Sequence, residues 1–280
     1  MDATVMRSQV CILPSVVCGN PYESAAGNNS RQCWQLRETE PWLGKTLSCR
    51  CIEPPRVIVT LPLALKVGTT NKVVIRGLNL TNVTELRFTN EATKASVVLG
   101  KKSKAEVPKE SDAKKVGDTQ VAAEIFLPAE APAGTNWFTL TSPDGASEPR
   151  PMLFLAAVDL IGEKEPNGGF REAQAMSNGA SMSGNIKEVG DVDVFRFEGA
   201  AGQLIRLEVV AASAGSALDS LLTLYDAQGN LLASNDDAGN GRDSRLEFRL
   251  KAAGTHYVSV MDANDKAGPT HAYLLRVAQP

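Results

Sequence analysis

The stretch Arg245-Leu246-Glu247-Phe248-Arg249-Leu250 alternates charged and apolar side chains at every step. Successive side chains of a strand point to opposite faces, so Leu246, Phe248 and Leu250 share one face and Arg245, Glu247 and Arg249 the other. One dry face and one wet face is the pattern of an antiparallel sheet laid on a core. Ile205, Leu207 and Val209 repeat it against Arg206 and Glu208. Further strands are expected at 194–197, 220–225, 230–234, 256–261 and 272–277, with tight turns at Gly229-Asn230 and Gly254-Thr255. Upstream, 56–61, 72–77, 83–88, 95–99, 120–127, 136–141 and 152–156 read as another series, with turn residues about every ten positions. The expected fold is all-β, two tandem β-sandwich domains. The lysine-rich 100–118 segment reads as a solvated loop, because Glu106, Glu110, Asp112 and Asp118 dilute its charge. Residues 171–185, small and polar, read as loop with one helical turn.

The bulk composition agrees. A chain of 280 residues has room for about two domains. Hydrophobic residues make up 43 %, enough for real cores. The net charge of −3 gives no basic face for nucleic acid, and 5 % aromatics supply no stacking platform. No apolar run approaches the roughly 20 residues of a membrane span. Residues 1–54 lack periodicity and read as a poorly structured tail. All five cysteines lie there, Cys11, Cys18, Cys33, Cys49 and Cys51. The odd count leaves one thiol unpaired or paired with another chain. Cys49 and Cys51 stand too close for a zinc knuckle, and no histidine is near. The apolar run at 10–17, broken by Pro14, is a poor secretion signal.

Two resemblances give the series names. The strands, the Gly68-Thr69-Thr70 turn, Arg76-Gly77-Leu78-Asn79-Leu80, and the Ala133-Gly134-Thr135 turn before Trp137 make residues 55–160 similar to an IPT/TIG immunoglobulin-like domain. Gly77 is expected to take a backbone conformation that other residues resist, and Asn79 suits the adjoining turn. Residues 161–280 resemble the bacterial pre-peptidase C-terminal domain, a jelly-roll-like sandwich. The resemblance rests on Glu163-Lys164-Glu165-Pro166-Asn167, Gly190-Asp191-Val192-Asp193-Val194-Phe195-Arg196-Phe197, Leu218–Asp226, Leu232–Asp237, Gly254-Thr255-His256-Tyr257-Val258-Ser259-Val260 and the closing Tyr273-Leu274-Leu275-Arg276-Val277. That family is appended to secreted bacterial peptidases and other exported proteins.

Ca²⁺ takes about six to eight oxygens from carboxylates, amides, backbone and water. In calcium-binding relatives of the family the ligands come from the acidic lead-in and the entry to the first strand. By resemblance the metal ligands are Glu163, Glu165, Asn167, Asp191 and Asp193. Where those relatives carry a further oxygen after Asn167, this chain has Gly168. The alternative is a turn capping the sandwich edge, with Asp193 bonded locally. The acidic stretch 235–243 lacks the spacing of an EF-hand and reads as a hydrated hairpin loop.

No catalytic set is legible. Gly179-Ala180-Ser181-Met182-Ser183-Gly184 is off-register for a nucleophile elbow, and the only histidines, His256 and His271, fall in expected strands. The expectation is a non-enzymatic binding, adhesion or accessory module of a bacterial exported protein, extracellular or at the cell surface. Its implied partner is an extracellular protein, a polysaccharide or an envelope component, with Ca²⁺ as a stabilising ion. Collagen is disfavoured, because 260–265 holds no aromatic residue. The alternative is the accessory C-terminal segment of a secreted peptidase or other hydrolase.

Overall fold

The computed structural model describes residues 53–109, 111–156, 159–177 and 179–278. The cysteine-bearing tail lies outside them. The first half holds β1 (Arg56–Leu61), β2 (Ala64–Lys66), β3 (Thr69–Leu78), β4 (Glu85–Phe88), β5 (Ser96–Lys104), β6 (Thr119–Leu127), β7 (Gly134–Ser142), β8 (Gly145–Ala146) and β9 (Arg150–Leu155). The second holds β10 (Leu160–Gly162), β11 (Gln174–Ala175), β12 (Ser181–Asn185), β13 (Asp193–Gly199), β14 (Leu204–Val210), β15 (Ser220–Tyr225), β16 (Leu231–Asn235), β17 (Arg245–Arg249), β18 (Gly254–Asp262) and β19 (Ala272–Ala278). The chain is all-β and forms tandem sandwiches.

The first half pairs β1-β3-β6-β5 in one sheet and β2-β9-β7-β4 in another. Their inward faces meet in a core of Ile75, Leu80, Ile125, Phe138 and Phe154, with the Phe88 and Phe154 rings edge to face at 5.3 Å. The second half pairs β10-β12-β19-β14-β17 and β11-β13-β18-β15-β16. Its core contains Phe195, Leu207, Leu222, Val258, Tyr273 and Leu275. The alternation of β17 is realised: Leu246 and Phe248 pack against this core while Arg245, Glu247 and Arg249 are exposed. Leu207 stands opposite Leu246 on one side and Val277 on the other. From Pro54 on, the chain packs as one compact unit. Small apolar clusters join the halves, Val59 and Leu63 with Ala272, and Ala64 and Leu155 with Leu274. Among the described residues no helix is long and apolar enough to cross a membrane.

Three local expectations are corrected. The 100–118 segment is only partly loop: β5 runs through Lys104, and Ala113–Val116 forms one helical turn capped by Asp112. A bulge between Leu99 and Lys102 lets β5 keep its pairing with β6, and exposed lysines are what a sheet edge carries to resist pairing with other chains. Among its described residues the 171–185 segment shows no helix and instead supplies β11 and β12. Its small residues hid β12, because the bulk comes from the partner strand, Leu275 opposite Met182 and Tyr273 opposite Gly184. Gly77 keeps an ordinary backbone; a Cβ there would collide with the Arg56 carbonyl across the β1–β3 pair. Asn79 is left-handed, with φ of 59°.

Leu207→Ala should destabilise the protein by about 2–5 kcal/mol, the usual cost of a buried leucine. Glu247→Ala, which removes an exposed, solvent-screened pair with Arg206, should cost far less. Urea unfolding of the two variants checks the ranking.

Candidate cation site

The five residues singled out in the sequence come from two segments of the second sandwich, the lead-in after β10 and the entry to β13. Glu163 follows β10 and is tied to β12 by its amide, which donates to the Ser183 carbonyl at 2.9 Å. Gln174 straps the same segment: its amide nitrogen donates to the Gly162 carbonyl and its oxygen accepts from the Lys164 amide. The Glu165–Pro166 peptide bond is cis. The Asn167 carbonyl accepts from the Val194 amide at 2.9 Å, which fixes the lead-in against the start of β13. Glu163-Lys164-Glu165-Pro166-Asn167-Gly168-Gly169 is therefore no spacer; it is built into the sandwich.

Carboxylate oxygens of Glu165, Asp191 and Asp193 lie within 4.8 Å of one another. Asp193 is fully buried, and its Oδ2 accepts from the Tyr273 hydroxyl at 2.6 Å. The same hydroxyl lies 3.2 Å from Glu163 Oε2, which also accepts from the Asn185 amide at 3.1 Å. Asp191 accepts from the Lys187 amide at 2.7 Å. Asn167 is fully buried, and neither polar atom of its side chain has a partner; Asp193 Oδ1 and Asn185 Oδ1 are equally bare. Each such atom costs about 1–3 kcal/mol if nothing answers it. A set of carboxylate and amide oxygens with buried members left bare is suited to a hard cation.

Sequence reasoning missed three residues here. Lys187 places its ammonium 2.6 Å from Glu163 and 2.9 Å from Glu165. Burial alone would lower its pKa, but the bonds to the two glutamates prevail and raise it. Tyr273 closes the inner side, its own pKa raised by burial and by Asp193 and Glu163. Gly184 leaves the space: a Cβ there would collide with the Tyr273 ring and hydroxyl and with Glu163 Oε2. A glycine in a short polar segment carries no signal of such a role. A carboxyl as deeply placed as Asp193 resists ionisation. Burial, reinforced by the negative charge of Glu163 and opposed by the Tyr273 hydrogen bond, pushes its pKa up to about 8.

The other acidic stretch is engaged otherwise. Asp243 accepts from the amides of Ala211, Ala212 and Ser213 and so caps the short turn at 212–214. His256 lies in β18, bonds the Gly254 carbonyl at 3.0 Å and stacks on Phe197; His271, expected in a strand, instead sits just ahead of β19, its pKa lowered by burial.

Gly184→Ala should cost about 1–3 kcal/mol through overpacking and should release the Tyr273 hydroxyl, seen as a lowered tyrosine titration in ultraviolet difference spectra. In chelator, stability should fall as pH rises from about 4 to about 8. Over that window folded Asp193 holds a proton that the unfolded chain has given up, so each step up in pH favours unfolding. Thermal melts of wild type and Asp193→Asn should show this slope reduced in the variant.

The chain is 42 % identical over 120 residues to a Deinococcus radiodurans protein named "Probable subtilase-type serine protease", covering 41 % of this chain and 16 % of the relative, so it spans about a sixth of that protein's length. Among solved structures, it is similar to the pre-peptidase C-terminal domain of collagenase from Bacillus anthracis, at 22 % identity over 41 % of this chain and 99 % of that one, with a TM-score of 0.32. It is also similar to PliG of Salmonella Typhimurium, a periplasmic inhibitor of g-type lysozyme, at 18 % identity over 43 % and 97 % of the two chains, with a TM-score of 0.26. Residues 191–261, from the acidic entry of β13 to the end of β18, match the family model of the bacterial pre-peptidase C-terminal domain.

Proposed function

We propose that the chain is a non-catalytic accessory module of an exported bacterial protein, with a Ca²⁺-stabilised second sandwich. The observation that carries the cation is the pair of fully buried, partly unanswered side chains, Asn167 and Asp193, beside the Glu165–Asp191–Asp193 cluster. Glu163, Glu165, Asn167, Asp191 and Asp193 are the residues that would hold the ion. Bound there, Ca²⁺ would supply positive charge to the Asp193 carboxylate, which burial otherwise drives toward protonation. Lys187 already answers Glu163 and Glu165 and so competes with it. Gly168 contributes no side-chain oxygen, which keeps the site poorer than one with a second amide.

Export and accessory status are supported by the pre-peptidase C-terminal match and the protease relative. We read 161–280 as that domain in full and 55–160 as an IPT/TIG-like domain, the latter on the left-handed Asn79 turn and the tight β1–β3 crossing at Gly77. A binding role toward an extracellular protein, polysaccharide or envelope component is the proposed task. The relative favours a second reading, in which the partner is a secreted peptidase that carries this module.

Calorimetry of the full chain should show saturable Ca²⁺ binding with a rise in Tm. Glu165→Gln should weaken it at least tenfold, and Lys187→Met should tighten it. No heat and no thermal shift would remove the cation from the proposal. Casein turnover that disappears in a His256→Ala/His271→Ala variant would contradict the non-catalytic reading.

A further inference from the structure

A cavity of about 200 Å³ lies on the seam between the two sandwiches. Arg56, Lys115 and Arg150 line it from the first, and the 215–217 segment and Thr270 from the second. Three basic residues therefore line one small space, with the Arg150 guanidinium beside Gly215 and no carboxylate in the lining. Among the described residues none of the three makes an ion pair, although seven pairs occur elsewhere.

The wall opposite the cations is already self-satisfied. The amides of Gly215, Ser216 and Ala217 donate to Ala212, Ala211 and Thr270 carbonyls. The Ser216 hydroxyl donates to the Thr270 carbonyl and accepts from the Leu218 amide. Nothing in that wall offsets the positive charge. Arg150 is held in place by one bond, from Nη2 to the Ile58 carbonyl at 2.8 Å. Gly215, with φ of 90°, keeps room for it, since a Cβ there would come within 2.6 Å of the same nitrogen. Burial, and then the neighbouring Arg56, lower the pKa of Arg150, the mark of a cation turned toward like charge without an anion.

Size and charge define what belongs there. At about 30 Å³ per water the space equals roughly six or seven waters, below the roughly 300 Å³ at which sites for whole small molecules begin. It fits one compact anionic group. Two guanidinium forks and an ammonium offer many N–H donors in diverging directions, which suits a tetrahedral oxyanion of more than one charge. We propose that the seam cavity binds a phosphate dianion, free or as a monoester, through Arg56, Lys115 and Arg150. The bound anion would bridge the two sandwiches, because its ligands sit on one and its far wall on the other. This site is independent of the cation site.

The test is a titration of the full chain, in chelator and at ionic strength matched with chloride, with inorganic phosphate, glucose 6-phosphate and glucose. Amide resonances of Gly215, Ser216 and Ala217 report binding, and Tm reports the bridge. Saturable shifts with phosphate or the ester, none with glucose, and an affinity at least tenfold weaker in Arg56→Gln/Lys115→Gln support the proposal. Those two side chains are exposed and the variant leaves the Arg150–Ile58 bond intact, so folding is retained. Equal Glu165→Gln and wild-type affinities separate this site from the cation site. A tighter ester marks a polymer-borne group, and an excluded ester marks the free ion. No saturable shift with either phosphate, or shifts that persist unchanged in the double variant, overturns it.

Discussion

The hydrogen bond from the Tyr273 hydroxyl to Asp193 Oδ2 fixes one end of the second sandwich. It joins the two sheets, because Tyr273 stands on β19 and Asp193 opens β13. Burying a carboxyl in that position requires compensation, and the surrounding chain is shaped by the need. Gly184 on the neighbouring strand leaves space for the ring. The lead-in from Glu163 to Asn167 folds back onto the site rather than running out as a linker, and Lys187 reaches over it. What the protein itself supplies is incomplete: the side-chain amide of Asn167 and one oxygen of Asp193 have no protein partner. The bare oxygens of Asn167, Asn185 and Asp193 are the ones a proposed hard cation would answer, while the Asn167 amide nitrogen is a donor and needs an acceptor instead.

Much of the frame was legible in the sequence because period-two alternation is a local signal. Leu204–Val210 and Arg245–Arg249 show it in their own residues, and both are strands. The candidate ligands came from the family resemblance, and the structure brings carboxylate oxygens of three of them, Glu165, Asp191 and Asp193, within 4.8 Å of one another. What stayed hidden depends on contacts between distant positions. Lys187 is an ordinary charged residue until the turn after β12 sets it over Glu163, 24 positions away. Ser181–Asn185 does not look like a strand, because its packing volume belongs to the facing β19. Gly77 was marked as special for the wrong cause: the constraint is the nearness of β1, not a left-handed backbone.

The seam between the sandwiches follows a different physical logic. Its apolar contacts are small, a few side chains such as Leu63 and Leu274. Beside them lies concentrated positive charge without a counter-charge in the lining. Neither arrangement is visible from any one stretch of sequence, since Arg56, Lys115 and Arg150 are spread over almost 100 positions. An anion on the seam and a cation at the Asp193–Tyr273 end would stabilise different parts of one unit through opposite charges.

The most direct test of the central claim is a crystal structure from crystals grown with Ca²⁺, with anomalous data collected at long wavelength. An anomalous peak enclosed by oxygens of Glu165, Asp191 and Asp193, with Asn167 Oδ1 turned toward it and the Lys187 ammonium displaced from the glutamates, is the expected result. Lys187 still bonded to Glu163 and Glu165, with no anomalous peak between the carboxylates, would contradict it.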